Sequence, residues 1–288
     1  MRSPRSWARP WKTSARDCVE ARCARASTNS QARSAFLEKR GRLHVIVDTD
    51  SGRTLPEFPT LTVLDHPLVA DKLGRLRDAA TPNKEFRELC AELGMLAAWP
   101  ATADLQTVQT QVATPFGWAP ARSIPRVPLL VPVLRAGLGL VPGFHALLPQ
   151  ARVSHVGICR DPDTLAAVPY YVNLPDDLAG WRAFILDPML ATGSSAVATV
   201  ALLLERGAQV ADLRFICLIA APEGLRMLFR SYPQLQAFTC AIDRHLNDHG
   251  YIIPGLGDAG DRLFGAGAER MPRLWRAAEE ALGKGSRA

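Results

Sequence analysis

Residues 184–195, Phe-Ile-Leu-Asp-Pro-Met-Leu-Ala-Thr-Gly-Ser-Ser, place one carboxylate and a run of small hydroxyl residues directly behind an apolar stretch. Phe184, Ile185 and Leu186 read as the end of a buried strand, and Asp187 follows at once. Pro188 opens a turn that Thr192, Gly193, Ser194 and Ser195 close, and the apolar-rich stretch 194–206 reads as a helix. A strand, a small-residue loop and a helix start together make a cradle for an anion. Main-chain N–H groups converge there and the helix dipole favours negative charge. Gly193 allows close approach and positive φ. An ordinary strand–turn–helix corner with a serine cap has the same local composition, so the rest of the chain has to decide.

Three further segments bear on it. Leu134-Arg135-Ala136-Gly137-Leu138-Gly139 and Cys159-Arg160-Asp161-Pro162 each follow an apolar run and each supplies a guanidinium, the side chain that grips phosphate oxygens in a two-pronged way. The segment 250–262, Gly-Tyr-Ile-Ile-Pro-Gly-Leu-Gly-Asp-Ala-Gly-Asp-Arg, is too rich in glycine for a helix or regular strand and is expected to be a shaped loop whose amides read a flat polar ligand. Within it, Asp261 and Arg262 read as structural.

The elements that must position these residues follow from the hydrophobic pattern. Strands are expected at 128–134, 152–159, 182–187, 214–221 and 237–242. Helices are expected at 67–78, 83–97, 139–148, 194–206 and 223–231, and a small hairpin within 107–124. The strands are unbroken apolar runs, as in a sheet covered on both faces. That predicts an α/β fold, a doubly wound and mainly parallel sheet flanked by helices with a small hairpin or hood, in which ligands sit beyond the carboxyl ends of the strands. Arg135, Arg160 and Asp187 all fall at such ends.

Composition sets the outer bounds. The chain has 288 residues, 48% hydrophobic and 22% charged, and no apolar run of membrane-spanning length. Its net charge of +6 is uneven. Residues 1–47 carry eleven Lys/Arg against three Asp/Glu, whereas the remainder carries 23 against 25, so the body of the protein is not a polyanion-binding surface. Residues 1–57 read as a basic, weakly ordered extension, for which a tail without a role, an upstream stretch included by a wrong start site, and a targeting or interaction arm of transit-peptide composition are the alternatives. Residues 58–265 read as the functional domain, and 266–288 as an extension with one apolar helical face (Leu274, Trp275, Ala278, Leu282). The six cysteines are scattered, which fits a reduced cytoplasmic compartment and gives no zinc spacing; Cys159 and Cys217 lie in apolar runs and are expected to be buried. His66 and His155 are expected in local hydrogen bonds. Glu223 is expected to cap a helix or meet a ligand.

From about Leu61 to Gly265 the chain resembles uracil phosphoribosyltransferases. The strings Asp187-Pro-Met-Leu-Ala-Thr-Gly, Ile219-Ala-Ala-Pro-Glu-Gly and Asn247-Asp-His-Gly-Tyr-Ile-Ile-Pro-Gly-Leu-Gly-Asp-Ala-Gly-Asp-Arg-Leu-Phe-Gly carry the resemblance, in this order. It implies transfer of the phosphoribosyl group of 5-phosphoribosyl 1-diphosphate to uracil, giving UMP and diphosphate. By the resemblance, Arg135, Arg160 and Asp187 are catalytic. Pro188, Met189, Leu190, Ala191, Thr192, Gly193, Ser194, Ser195 and Asp258 join them in holding phosphoribosyl diphosphate, while Ile252, Gly257, Asp258 and Ala259 read uracil. Mg²⁺ is implied as cofactor, held mainly by the substrate and not by direct protein ligands. A homodimer or larger homo-oligomer is implied, and GTP is an effector in part of the family. Proline at 188, where many phosphoribosyltransferases carry a second acid, points to uracil. Pro100 and Ala103 depart from the family's Glu and Arg. A nucleotide sensor of the same fold without turnover, and a transferase for another base, remain alternatives at this point.

Overall fold

In the computed structural model the described residues are 53–55, 57–160 and 167–265. The chain begins with β1 (Arg53–Leu55) and β2 (Phe58–Val63), then α1 (Pro67–Arg77) and α2 (Asn83–Ala101). A hairpin follows, β3 (Val108–Thr114) and β4 (Gly117–Ser123), and then β5 (Leu129–Leu134), α3 (Val141–Leu147), β6 (Arg152–Val153), β7 (His155–Arg160) and β8 (Ala167–Asn173). The remainder is β9 (Ala183–Leu186), β10 (Met189–Leu190), α4 (Ser194–Glu205), β11 (Leu213–Ile216), β12 (Ile219–Ala220), α5 (Pro222–Ser231), β13 (Gln236–Thr239), β14 (Ala241–Ile242), β15 (His245–Leu246), β16 (Ile252–Ile253) and α6 (Ala259–Phe264).

The main sheet runs β1-β2-β13-β11-β9-β5-β7-β8, with β6 paired to β5. Pairing is parallel from β2 to β7 and antiparallel at both edges, β1 with β2 and β8 with β7. Every residue of β9 and β11 is buried, as in strands covered by helices on both faces, and the one charged residue among them, Arg214, is paired with Asp104. The two-residue period sorts their side chains. Leu130, Phe184, Leu186 and Ile216 enter the core under α1, α2 and α3, whereas Leu129, Val131, Ile185 and Phe215 enter the core under α4 and α5. This is the doubly wound α/β sheet that the apolar runs imply.

Several expectations are corrected. The expected strand 182–187 is the single strand β9, whereas 152–159, 214–221 and 237–242 each break in two, the last two where the chain bends at the level of Pro188. Pro188 has no N–H and cannot continue a central strand. Its carbonyl instead accepts from the N–H groups of Leu218 and Ile219 at 2.9 and 3.1 Å, and the chain resumes as the parallel three-stranded sheet β10-β12-β14. The segment 250–262 holds a short strand and the start of a helix, since Asp258 caps α6 by accepting from the Asp261 N–H at 2.8 Å. Helix α2 outruns its expected end at 97 and passes through Pro100, because Ala97, Ala98 and Ala101 continue the buried face. Cys159 is exposed, not buried: β7 lies next to the sheet edge, with only β8 beyond it. Cys217 is buried as expected, and burial pushes its thiol up to about 12. Strand β1 pairs with β2, so the basic extension expected over 1–57 gives its last residues to the sheet. The extension 266–288, with its expected helix, and residues 161–166 lie outside the described residues. Among the described residues no helix is long and apolar enough to cross a membrane.

Candidate active site

Asp187 stands at the bend between β9 and β10. Its own N–H donates to the Ile216 carbonyl at 3.0 Å, and its Oδ1 accepts from the Met189 N–H at 3.4 Å. The carboxyl is half-buried in a shell with little else to solvate it, and this desolvation, only partly offset by the Met189 N–H, pushes it up to about 7. A carboxylate so placed gains most from a cation or a developing positive charge in front of it.

The loop beyond leads into a helix start that has no side-chain cap. Pro188 and Leu190 bury their side chains, Leu190 in the core under α4 and α5, whereas Met189, Ala191 and Thr192 stay partly exposed. Gly193 precedes α4 at φ +86°, and no side chain caps the helix. With no such cap, the first-turn N–H groups make the kind of helix start at which anions can bind. Thr192 donates to the Ser194 Oγ at 3.4 Å, and Thr192, Ser194 and Ser195 all keep partial access to solvent. A Cβ at position 193 would stand 2.8 Å from the Gly224 carbonyl oxygen and 2.9 Å from the Met227 Cβ. Gly193→Ala is therefore expected to cost about 1–2 kcal/mol for the left-handed backbone alone. A thermal melt at lower temperature, together with weakened phosphoribosyl diphosphate binding in calorimetry, checks it.

Arg135 follows β5, which pairs with β9 so that Pro132 lies opposite Leu186, and the two loops leave adjacent strands side by side. The Leu134–Arg135 peptide is cis. The guanidinium is half exposed and its Nη2 lies 3.0 Å from Asp261 Oδ1. Asp258 Oδ1 and Arg135 Nη2 flank Gly260, at 3.3 and 3.5 Å from where a Cβ would stand, so Arg135 and the 258–261 turn share one corner. Ile252 and Ala259 are buried, whereas Gly257 and Asp258 are exposed. Arg160 ends β7, beside β5, so the backbone brings it to the same end of the sheet; its side chain lies outside the described residues.

Some groups were not visible as site residues in the sequence. Asp261 is the partner of Arg135, and Asp243 holds Arg77. The pattern Asp258-x-x-Asp261 was the available signal, since a capping acid followed three residues later by another opens many helices. Glu223 caps nothing on its own helix; its Oε1 accepts from the Leu246 N–H at 3.1 Å and ties α5 to β15. Arg262 is structural as expected. Buried, it donates to the carbonyls of Leu76, Leu256 and Asp78 at 2.7, 2.9 and 2.5 Å. His66 caps α1 through its ring, accepting from the Leu68 N–H at 3.1 Å. Beside Pro100 and Ala103, Asp104 pairs with Arg214 and with Arg182 at the opposite end of the sheet from Asp187.

A parallel sheet bent at one level, with an uncapped helix start beside a carboxylate and an arginine on the next strand, defines a phosphoribosyltransferase-type α/β protein. Residues 63–266 match the family model for uracil phosphoribosyltransferase. The chain is 50% identical over 204 residues to a uracil phosphoribosyltransferase of Dictyoglomus thermophilum, covering 70% of this chain and 98% of that one. It is 50% identical over 206 residues to one from Thermus thermophilus, covering 71% and 98%. Among solved structures, the AQ2163 protein of Aquifex aeolicus superimposes with a TM-score of 0.68 at 35% identity, covering 72% of this chain and 98% of that one. The chain belongs to the uracil phosphoribosyltransferase family.

Proposed function

We propose that the chain transfers the 5-phosphoribosyl group of phosphoribosyl diphosphate to uracil, releasing UMP and diphosphate. The observation that carries this reading is the cradle at 187–195, set beside Arg135 and the 252–261 segment within the matched region. In the reaction the bond from ribose C1 to the diphosphate oxygen breaks, and a bond from C1 to uracil N1 forms as N1 gives up its proton. Positive charge grows on the sugar and negative charge on the leaving group, so catalysis is mainly positioning and electrostatic stabilisation. Arg135 and Arg160 neutralise the diphosphate. The backbone from Pro188 to Ser195, with the hydroxyls of Thr192, Ser194 and Ser195, holds the 5-phosphate. Asp187 faces the ribose hydroxyls, helped by Asp258. Ile252, Gly257 and Ala259 form the seat for the flat base.

The donor set suits Mg²⁺ carried by its substrate. Asp187, whose carboxyl sits in a poorly solvated shell, would hold the hydrated ion, which would bring positive charge to the site. When bound, the ion neutralises diphosphate charge. A homo-oligomer is part of the reading: the β3–β4 hairpin holds Phe116 and Trp118 in the open, apolar surface that a second copy can cover. Light scattering tests it, and adding GTP to the activity assay tests the effector role.

The deciding experiment is UMP formation with Mg²⁺, comparing uracil with cytosine, orotate and hypoxanthine. A seat that hydrogen-bonds the edge of one base rejects those lacking it, so uracil is expected to be preferred by ~10²-fold or more in kcat/KM. Equal use of orotate or hypoxanthine sinks the uracil assignment. Binding of phosphoribosyl diphosphate with no diphosphate release sinks turnover altogether.

A further inference from the structure

We infer that Arg77 and Asp243 are a positioning pair for the base-reading loop. They lie far from the cradle in sequence and in no motif that the function uses. Arg77 closes the last turn of α1, and Asp243 follows β14, where its N–H donates to the Ala220 carbonyl at 2.8 Å. The guanidinium bridges both carboxylate oxygens of Asp243, Nη1 to Oδ2 at 2.8 Å and Nη2 to Oδ1 at 2.5 Å. Together the two side chains take both main-chain groups of Gly255. Arg77 Nη1 donates to the Gly255 carbonyl at 2.7 Å, and the Gly255 N–H donates to Asp243 Oδ2 at 2.9 Å.

Gly255 is the residue on which the loop turns. It has φ +66°, and a Cβ there would stand 2.1 Å from the Ile252 carbonyl oxygen. Ile252 lies on one side of it and Gly257, Asp258 and Ala259 on the other. Here the loop has only two residues of strand, so its shape is imposed from outside, by Arg77 at Gly255 and by Arg262 at Leu256. A buried ion pair adds little net stability compared with apolar residues of the same volume, because its desolvation offsets its attraction. What this pair supplies is a fixed place for one turn of backbone.

The inference rests on the assignment of Ile252 and Gly257, Asp258 and Ala259 to uracil, and the test separates the two. Steady-state kinetics with each substrate varied in turn are measured on the full chain for Arg77→Met, Arg77→Lys and the double variant Arg77→Met with Asp243→Asn, alongside thermal melts. The double variant leaves no unpaired buried charge, so it keeps the test open if Arg77→Met folds poorly. The expected result is a KM for uracil raised ~10-fold in Arg77→Met and in the double variant, the size of one lost charge-assisted hydrogen bond. The KM for phosphoribosyl diphosphate and kcat stay within ~2-fold, the pattern of lost uniform binding to one substrate. Arg77→Lys, which keeps one charged donor, falls between. An unchanged uracil KM in the double variant overturns the positioning role and leaves the loop assignment standing. A rise in the phosphoribosyl diphosphate KM alone overturns the loop assignment and the inference with it. Parallel loss in both KM values and kcat, tracking the melting temperature, reduces the pair to structural support and also overturns it.

Discussion

Asp187→Asn lowers kcat/KM for UMP formation at least ~10²-fold, the usual effect of removing one electrostatic group that acts on transition-state charge. The same change stabilises the free protein at alkaline pH. Desolvation raises the carboxyl in the folded chain to about 7, whereas the unfolded chain holds it near 3.8. Between these values the native state binds more protons than the unfolded one. Stability conferred by the wild-type side chain therefore falls as pH rises through this window, and levels off above about 7. The full shift corresponds to roughly 4 kcal/mol at about 1.36 kcal/mol per unit, and partial access to solvent reduces it to about 1–2 kcal/mol. Thermal melts at pH 4 and pH 8 check it: wild type and variant melt together at the lower pH, and the variant melts higher at the upper one. The activity side has its own signature. The kcat/KM of the wild type rises with pH through about 7 as the free carboxyl ionises, and the variant loses that limb. A variant both active and no more stable at pH 8 removes Asp187 from the role of an ionised, strained carboxylate.

Most of the sheet was legible because its signals are local. Unbroken runs such as Leu-Leu-Val-Pro-Val-Leu at 129–134 and Ala-Phe-Ile-Leu at 183–186 can be buried only on both faces, and helices such as α2 and α5 announce their buried stripe by spacing. The cradle was legible for the same reason, since strand, turn and helix start lie within a dozen residues. The bend was not. It arises where β9, β11 and β13 break at matching heights, and only Pro188 marks it in the sequence. The exposure of Cys159 on the strand next to the edge also depends on strand order, which no window of sequence contains. Side-chain partners across long separations were the least visible part. The bond from Arg77 to Asp243 spans 166 residues and that from Arg135 to Asp261 spans 126, and neither end carries a local mark of the other. The candidate site was thus a set of residue types at strand ends, while the contacts that hold those residues were not legible.

Arg135→Ala lowers kcat/KM by a comparable ~10²-fold or more, yet leaves the melting temperature nearly unchanged. The two halves of this prediction come from the same observation. The guanidinium is half exposed and its one ion pair, with Asp261, is a surface pair worth at most about 1 kcal/mol. Little of the fold depends on it. On the proposed reading its value lies in what it offers an arriving diphosphate: two parallel donors on a planar fork, delivered from the end of β5 to the corner it shares with Asp258. Arg135→Lys separates charge from shape. It keeps the positive charge but loses the fork, so it recovers part of the affinity for phosphoribosyl diphosphate without restoring turnover. Asp261→Asn is the complementary control, and its effect stays within ~5-fold, because the acid only parks the guanidinium in the free protein and a surface pair of this kind is weak. Titration of phosphoribosyl diphosphate by calorimetry, with melts of the same samples, distinguishes these cases. Equal loss of fold and binding in Arg135→Ala shows an arginine that braces the corner and does not grip the leaving group.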